Sequence, residues 1–306
     1  MWAFLSRRLM LLGPTLVGVT LATFLMLHLT PGDPVQIMLG EFASGADVQR
    51  LRRDLGLDQP LPVQYLRFLG RIVRGDLGTS IRSHRPVADE IAERLPATVT
   101  LTASAVVLAV TAGVTLGTAA AAAGSPLVDS LVMAVALVGL SMPTFWSGLL
   151  LILVFALHLG WLPVTEGGGL RALVLPAVTL AAPASAVLAR ITRSSVLEVL
   201  RQDFIRTARA KGLGERRVVV GHVLRNALVP ILTIVGLQAG GLLAGAVIVE
   251  SVFARPGLGR LAVNAILARD FPLAQGIVLV VALMYILVNL AVDLLYGLLD
   301  PRIRYR

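Results

Sequence analysis

Residues able to do chemistry are few and scattered. The only lysine, Lys211, is followed by Gly212 and belongs to no Gly-x-x-x-x-Gly-Lys-Ser/Thr loop, so the chain offers ATP no Gly-rich cradle. The four histidines, His28, His84, His158 and His222, lie far apart, and no His-Glu-x-x-His occurs. A metal site needs several convergent ligands. Ser80 and Ser141 stand outside any Gly-x-Ser-x-Gly frame. Cysteine is absent, which removes disulfides, thiolate metal sites and thiol nucleophiles. The expectation is therefore no catalytic residue, no metal and no cofactor on this chain.

The elements that carry so little chemistry are strongly apolar. Of 306 residues 56% are hydrophobic and 15% charged, with a net charge of +9; mean hydropathy is +0.83. An ordinary soluble domain carries about 25% charged residues. This composition excludes a cytosolic enzyme or a disordered regulator and points to an all-α polytopic membrane protein. A bilayer core of about 30 Å takes about 20 helical residues, and each central charge costs roughly 2.5–3.5 kcal/mol. Charge-free runs at 9–32, 95–128, 130–165, 172–189, 226–249 and 271–292 give six candidate spans. The first is too long for a signal-peptide core and has no Ala-x-Ala site after it, so it reads as a retained span. In the third, Pro143 should kink the helix. The fourth is short and contains Pro176 and Pro183.

Charge supports the fourth span. Segment 190–225 holds nine basic residues against Glu198, Asp203 and Glu215. With six spans it lies on the same side as Arg7, Arg8, Arg302, Arg304 and Arg306, as the positive-inside rule asks. Both termini are then cytoplasmic. Residues 1–30 are the N-terminus and first span. Residues 31–95 are an extracytoplasmic loop with short amphipathic helices near Arg50–Asp54 and Gln64–Arg74, separated by Pro60 and Pro62. Residues 96–306 are a five-helix core that includes the cytoplasmic loop 194–225. Asp293, the main ionisable residue within a span, reads as lying near the cytoplasmic end, close to headgroup water.

Glycines four residues apart, Gly113/Gly117, Gly236/Gly240 and Gly241/Gly245, allow close helix approach, within this chain or against a partner. The cytoplasmic loop is the most distinctive stretch. Ser194–Lys211 predicts one amphipathic helix with Val196, Leu200, Phe204 and Ala208 on a single face. Arg201, Arg206, Arg209 and Lys211 crowd the remainder, and Gly212-Leu213-Gly214 ends it. A second short helix starts near Glu215 and runs towards Pro230. An apolar stripe on a basic loop suggests docking to a cytoplasmic partner.

Arg206-Thr-Ala-Arg-Ala-Lys-Gly212, followed by His222-Val-Leu-Arg-Asn-Ala-Leu-Val-Pro230, resembles the cytoplasmic EAA loop of ABC-importer permeases, in the dipeptide/oligopeptide branch. Pro31-Gly-Asp-Pro34, Leu55-Gly-Leu-Asp-Gln-Pro60 with Gln64-Tyr65, Gly75-Asp-Leu-Gly78, Glu250-Ser-Val-Phe253, Pro256-Gly-Leu-Gly259, Arg269-Asp-Phe-Pro272 and Asp300-Pro-Arg-Ile-Arg304 are similar to the same branch, and the long first loop to its B-type subunit. Arg206-Thr207-Ala208 stands where the general pattern has Glu-Ala-Ala, and His222-Val-Leu-Arg225 where it has Ile-x-Leu-Pro.

The resemblance implies a permease in the inner membrane of a prokaryote. Its partners would be a second homologous permease, two ATP-binding subunits holding ATP and magnesium, an extracytoplasmic solute-binding protein and membrane lipid, with no nucleic acid. It also implies that Arg206, Thr207, Ala208, Arg209, Lys211 and Gly212 couple the pathway to the ATPase, with Ala208 and Gly212 seated in its groove because they are small. Related permeases serve peptides, nickel, glutathione or sugars. A stand-alone secondary transporter or channel is the competing reading; it asks for titratable groups in mid-bilayer, of which the sequence holds few.

Overall fold

The computed structural model describes residues 2–29, 35, 45–54, 56–164 and 169–299. Pro31–Pro34, Gly167-Gly168, the tail from Asp300 and the side chain of Asp293 lie outside the described residues. Among the described residues the chain is helical, apart from an isolated antiparallel bridge between Thr79 and Pro86. The helices are α1 (Trp2–Leu29), α2 (Gly45–Asp54), α3 (Leu61–Val73), α4 (Val87–Ala122), α5 (Pro126–Ser141), α6 (Thr144–His158), α7 (Arg171–Leu200), α8 (Asp203–Ala210), α9 (Glu215–Val252), α10 (Leu258–Leu267) and α11 (Phe271–Leu299).

Among the described residues four helices are long and apolar enough to cross a bilayer: Val87–Ala122, Arg171–Leu200, Glu215–Val252 and Phe271–Val292. The pair α5 and α6 makes a fifth if it counts as one span, and α1 adds the apolar helical stretch Gly13–Met26. Where the sequence predicts a kink, the structure has a break. Met142 and Pro143 are extended, and α5 and α6 meet at 107°. Proline excludes its predecessor from helical geometry, so Met142 leaves the helix as well. In contrast α7 runs unbroken through Pro176 and Pro183 for 30 residues. Prolines inside spans persist where neighbouring helices re-satisfy the backbone, and α7 is the most buried of the spans.

The chain forms two compact units. The first comprises Met1–Pro96 and Pro256–Ile286. Its core is Val87, Ile91, Leu258, Ala265, Leu273, Ala274 and Ile277. Gly276 permits that packing, since a Cβ there would come within 2.5 Å of Val87 Cγ1. In the same unit α3 packs on α1 through Phe24, whose ring lies 5.4 Å from Tyr65 and 5.8 Å from Phe68. The second unit comprises Ala97–Arg255 and Leu287–Arg306. There α7 is central, packed by α5, α6 and α9, with Leu101, Leu175, Leu188, Val196, Ile231, Val249 and Phe253 buried among many alanines.

Two expectations for the 194–225 loop are corrected. Ser194–Lys211 is not one helix: α7 continues to Leu200, the chain turns at Arg201-Gln202, and α8 begins at Asp203. No separate short helix ends near Pro230, because Glu215–Val252 is continuous and carries Pro230 inside it.

Candidate functional site

The break before α8 has a cause in helical phase. Val196 and Val199 of α7 are buried. Continuing that face by steps of three and four would turn Asp203, Arg206 and Thr207 inward. Gln202 is extended instead (ψ 148°), and the restart buries Ile205 completely and Ala208 to 9% exposure. Phe204, placed by the sequence on the same stripe as Val196 and Ala208, parts from them and is 40% exposed. Burying Ile205 contributes about 1.5–3 kcal/mol, whereas burying unpaired Asp203 and Arg206 would cost far more.

The end of α8 is set by Gly212, whose φ is +79°. Its N–H donates to the Arg209 carbonyl at 2.9 Å, and Leu213 N–H donates to the Ala208 carbonyl at 3.4 Å. This pair of bonds is the glycine-terminated C-cap, which needs a left-handed residue. Leu213 packs against the core that contains Ala208. Arg209 then reaches Glu215 of α9 with two bonds, 3.1 Å from Nε and 2.6 Å from Nη2. That hydrogen bond, with the attraction of the Glu215 charge, raises Arg209 above its ordinary pKa. Both side chains are about half exposed, so the pair stabilises little but ties the ends of α8 and α9 together.

Arg206, Thr207, Arg209, Lys211 and Gly212 are exposed, together with Phe204. Arg206 touches Asp203 only at 3.5 Å, with both side chains largely solvated. Ala208 faces the bundle, so it anchors α8; the expectation that it seats in a partner's groove gives way to this inward position. A shallow depression of about 700 Å³, lined by Gly214, Glu215, Arg216, Arg217, Val220 and Gly221, adjoins the turn.

The packing glycines differ. Gly113 and Gly117 bring α4 against α7: a Cβ on Gly113 would lie 2.5 Å from Leu188 Cβ, and one on Gly117 would overlap the Ala189 carbonyl. A Cβ on Gly236 would overlap Val292, and one on Gly245 would stand 3.0 Å from Leu180 Cδ1. Gly240 is buried. Gly241 is exposed, with nothing within 4 Å of its Cβ position.

Sequence reading missed the polar clamps. Asp270 is 2% exposed. Its carboxylate accepts from Ser80 Oγ at 2.5 Å, from the N–H groups of Ile81 and Arg82 at 3.2 and 3.3 Å, and from Leu273 N–H at 3.3 Å. It thus caps α11 and holds the 80–82 segment at once. The Asp-x-Pro start of a helix was the available signal. Glu250 is fully buried and accepts from Thr98 Oγ1 at 2.6 Å. Beside it Arg255 donates to the Ala97 carbonyl at 3.3 Å and to Thr100 Oγ1 at 3.1 Å. In the C-terminal part of α7, Arg193 forms a two-pronged bridge to Asp129 of α5. Among the described residues no three His, Asp or Glu side chains converge as a metal site.

Comparison with known proteins bears on the whole chain. Residues 113–305 match the family described as "Binding-protein-dependent transport system inner membrane component". Residues 1–102 match "Binding-prot-dependent transport system membrane comp, N-term". The di/tripeptide transport system permease protein DppB of Pseudomonas aeruginosa is 46% identical over 336 aligned residues, covering all of both chains. The glutathione transport system permease protein GsiC of Escherichia coli K12 is 45% identical, covering 99% of each. Among solved structures, the inward-facing MetNI methionine ABC transporter matches with a TM-score of 0.58 at 17% identity, covering 69% of this chain and 96% of that one. An amino acid ABC transporter with histidines matches at 0.51 and 21% identity, covering 70% and 94%. At such identities the likeness is one of fold.

Proposed function

The chain belongs to the binding-protein-dependent transport system inner membrane components, and from that premise we propose that it forms half of an ATP-driven import pathway for short peptides or a similar small solute. The observation that carries the coupling reading is α8. It is a short helix linking two long spans, fixed inside by Ile205 and Ala208 and closed by the Gly212 turn, while Phe204, Arg206, Thr207 and Lys211 remain outside. A partner can drive a pathway through such a knob only if the knob is stiff and joined to elements with two packed arrangements. Ile205 and the Arg209–Glu215 link supply the stiffness. Phe204 is the apolar contact and Arg206 and Lys211 the charged rim.

The proposed topology has six spans, with α1 first and the α5–α6 pair as one broken span, both termini cytoplasmic and residues 31–95 outside. Support comes from the clamps. Arg193–Asp129 joins the C-terminal part of α7 to the start of α5, and Thr98–Glu250 joins the N-terminal part of α4 to the end of α9, as antiparallel neighbours require. In this reading residues 96–306 are the core, and 31–95 meet an extracytoplasmic binding protein. A second homologous permease completes the pathway. Two ATPase subunits, which hold ATP and magnesium, dock on α8, and the membrane is the inner membrane of a prokaryote. Two relatives are named for di/tripeptide and glutathione transport, and a tripeptide-sized solute fits both.

The test is co-assembly with the second permease and the ATPase subunits, reading ATP turnover and solute uptake. Gly212→Trp cannot keep φ at +79° without strain, so α8 loses its end. Uptake should fall at least about ten-fold, equivalent to roughly 1.4 kcal/mol, while membrane insertion persists. Normal uptake by Gly212→Trp removes the coupling role, and uptake without any ATPase would favour a stand-alone transporter or channel.

A further inference from the structure

Helix α3 has three faces. Phe68 and Tyr65 turn towards α1: Phe68 is buried against Phe24, and Tyr65 shares a 2.9 Å hydrogen bond with Thr20. Pro62, Leu66, Leu69 and Val73 follow helical spacing on a second face, where Leu66 is 66% and Val73 85% exposed. Arg67 and Arg71, followed by Arg74 at the cap, form the third. All three arginines are exposed, and among the described residues none is bridged to a carboxylate. The nearest acid in sequence, Asp76, is committed to Gly78 N–H at 2.9 Å.

The depth of α3 follows from what it touches. Gln64 meets His28 at 3.1 Å, and Phe24 lies among Tyr65 and Phe68. Phe24 precedes the end of α1 at Leu29 by roughly 7 Å of helix rise. A helix anchored there sits at the boundary between hydrocarbon and headgroups, provided that α1 crosses the bilayer as proposed above. A groove of about 610 Å³ lies between the two helices, lined by Phe24, His28, Gln64, Arg67, Arg71 and Arg74 among others.

We propose that α3 is an interfacial helix that holds the headgroup of an anionic phospholipid. Its guanidinium groups bind the phosphate, and the Leu66–Val73 stripe enters the acyl boundary. An exposed apolar stripe beside clustered arginines is the pattern of a helix lying in a membrane surface, and guanidinium forks match phosphate oxygens two at a time. Burial of Leu66 and Val73 in the acyl boundary adds affinity, and three unbridged cations favour an anionic over a zwitterionic lipid.

The test uses the full chain in nanodiscs of phosphatidylcholine doped with either brominated phosphatidylglycerol or the same share of brominated phosphatidylcholine. A Leu66→Trp variant reports quenching at α3, with the parent signal of the native tryptophans subtracted. A Leu21→Trp variant reports quenching on the exposed side of α1. Leu66→Trp should be quenched by both lipids and roughly three-fold more by the anionic one. Adding Arg67→Gln, Arg71→Gln and Arg74→Gln should abolish that preference and leave Leu21→Trp unchanged. Equal quenching by the two lipids with the arginines present overturns the inference, as does a preference that survives their removal. Leu66→Trp that is unquenched by lipid but shielded from iodide would mark a protein-covered face and overturn it too. Loss of quenching at Leu66 alone refutes this inference only; loss at Leu21 as well refutes the spanning of α1 with it.

Discussion

At the residue scale, substitutions that look alike diverge according to what stands opposite. Gly117→Leu has to push α4 off the Ala189 backbone and Thr192. Overpacking of this kind costs about 1–3 kcal/mol or more, and thermal unfolding in detergent should show it. Gly241→Leu meets open space and should change stability by less than about 0.5 kcal/mol. Spacing marked both glycines as packing residues, but it contains nothing about the helix across the way. Left-handed positions were still less legible. Ala254 has φ +53°, and the bond from Arg255 N–H to the Glu250 carbonyl closes the same cap that Gly212 closes on α8. A glycine would have announced that turn; an alanine hides it. Ala254→Gly should therefore raise stability by about 0.5–1 kcal/mol in the same unfolding measurement.

At the element scale, α8 shows how phase overrides a stripe. Val196, Leu200, Phe204 and Ala208 fit one continuous helix on paper, yet that helix would have turned charges into the core. One extended residue, Gln202, exchanges Phe204 for Ile205. The two should separate on mutation. Ile205→Asp places a charge at a fully buried site and should lower the yield of folded protein, at a cost of several kcal/mol. Phe204→Asp should leave folding intact and reduce retention of the ATPase subunits in pull-down. The α5–α7 bridge is testable as a pair. Asp129→Arg or Arg193→Asp alone should lower the unfolding temperature, and the double exchange should recover most of the loss, as a mutant cycle requires for a direct contact.

At the scale of the whole molecule, the absence of cysteine gives a clean background for mapping sides. Single cysteines at Lys211 and Arg216 should react with an impermeant maleimide only in inverted vesicles, and those at Ser83 and Asn264 only in right-side-out cells. Labelling of Lys211→Cys from the outside would invert the proposed topology and remove α8 from any ATPase. The apolar, helical character of the chain, four of its long apolar helices, the Gly212 stop and the family to which it belongs were all readable in one dimension. Hydrophobic runs must match bilayer thickness, and turn residues act on their immediate neighbours. The right-angled break at Pro143, the continuity of α7 through two prolines, the inward turn of Ile205 and Ala208, and the union of Ser80 with Asp270 required three dimensions. Each depends on which side chain or carbonyl arrives opposite, and residues 190 positions apart carry no sign of one another until packing brings them together.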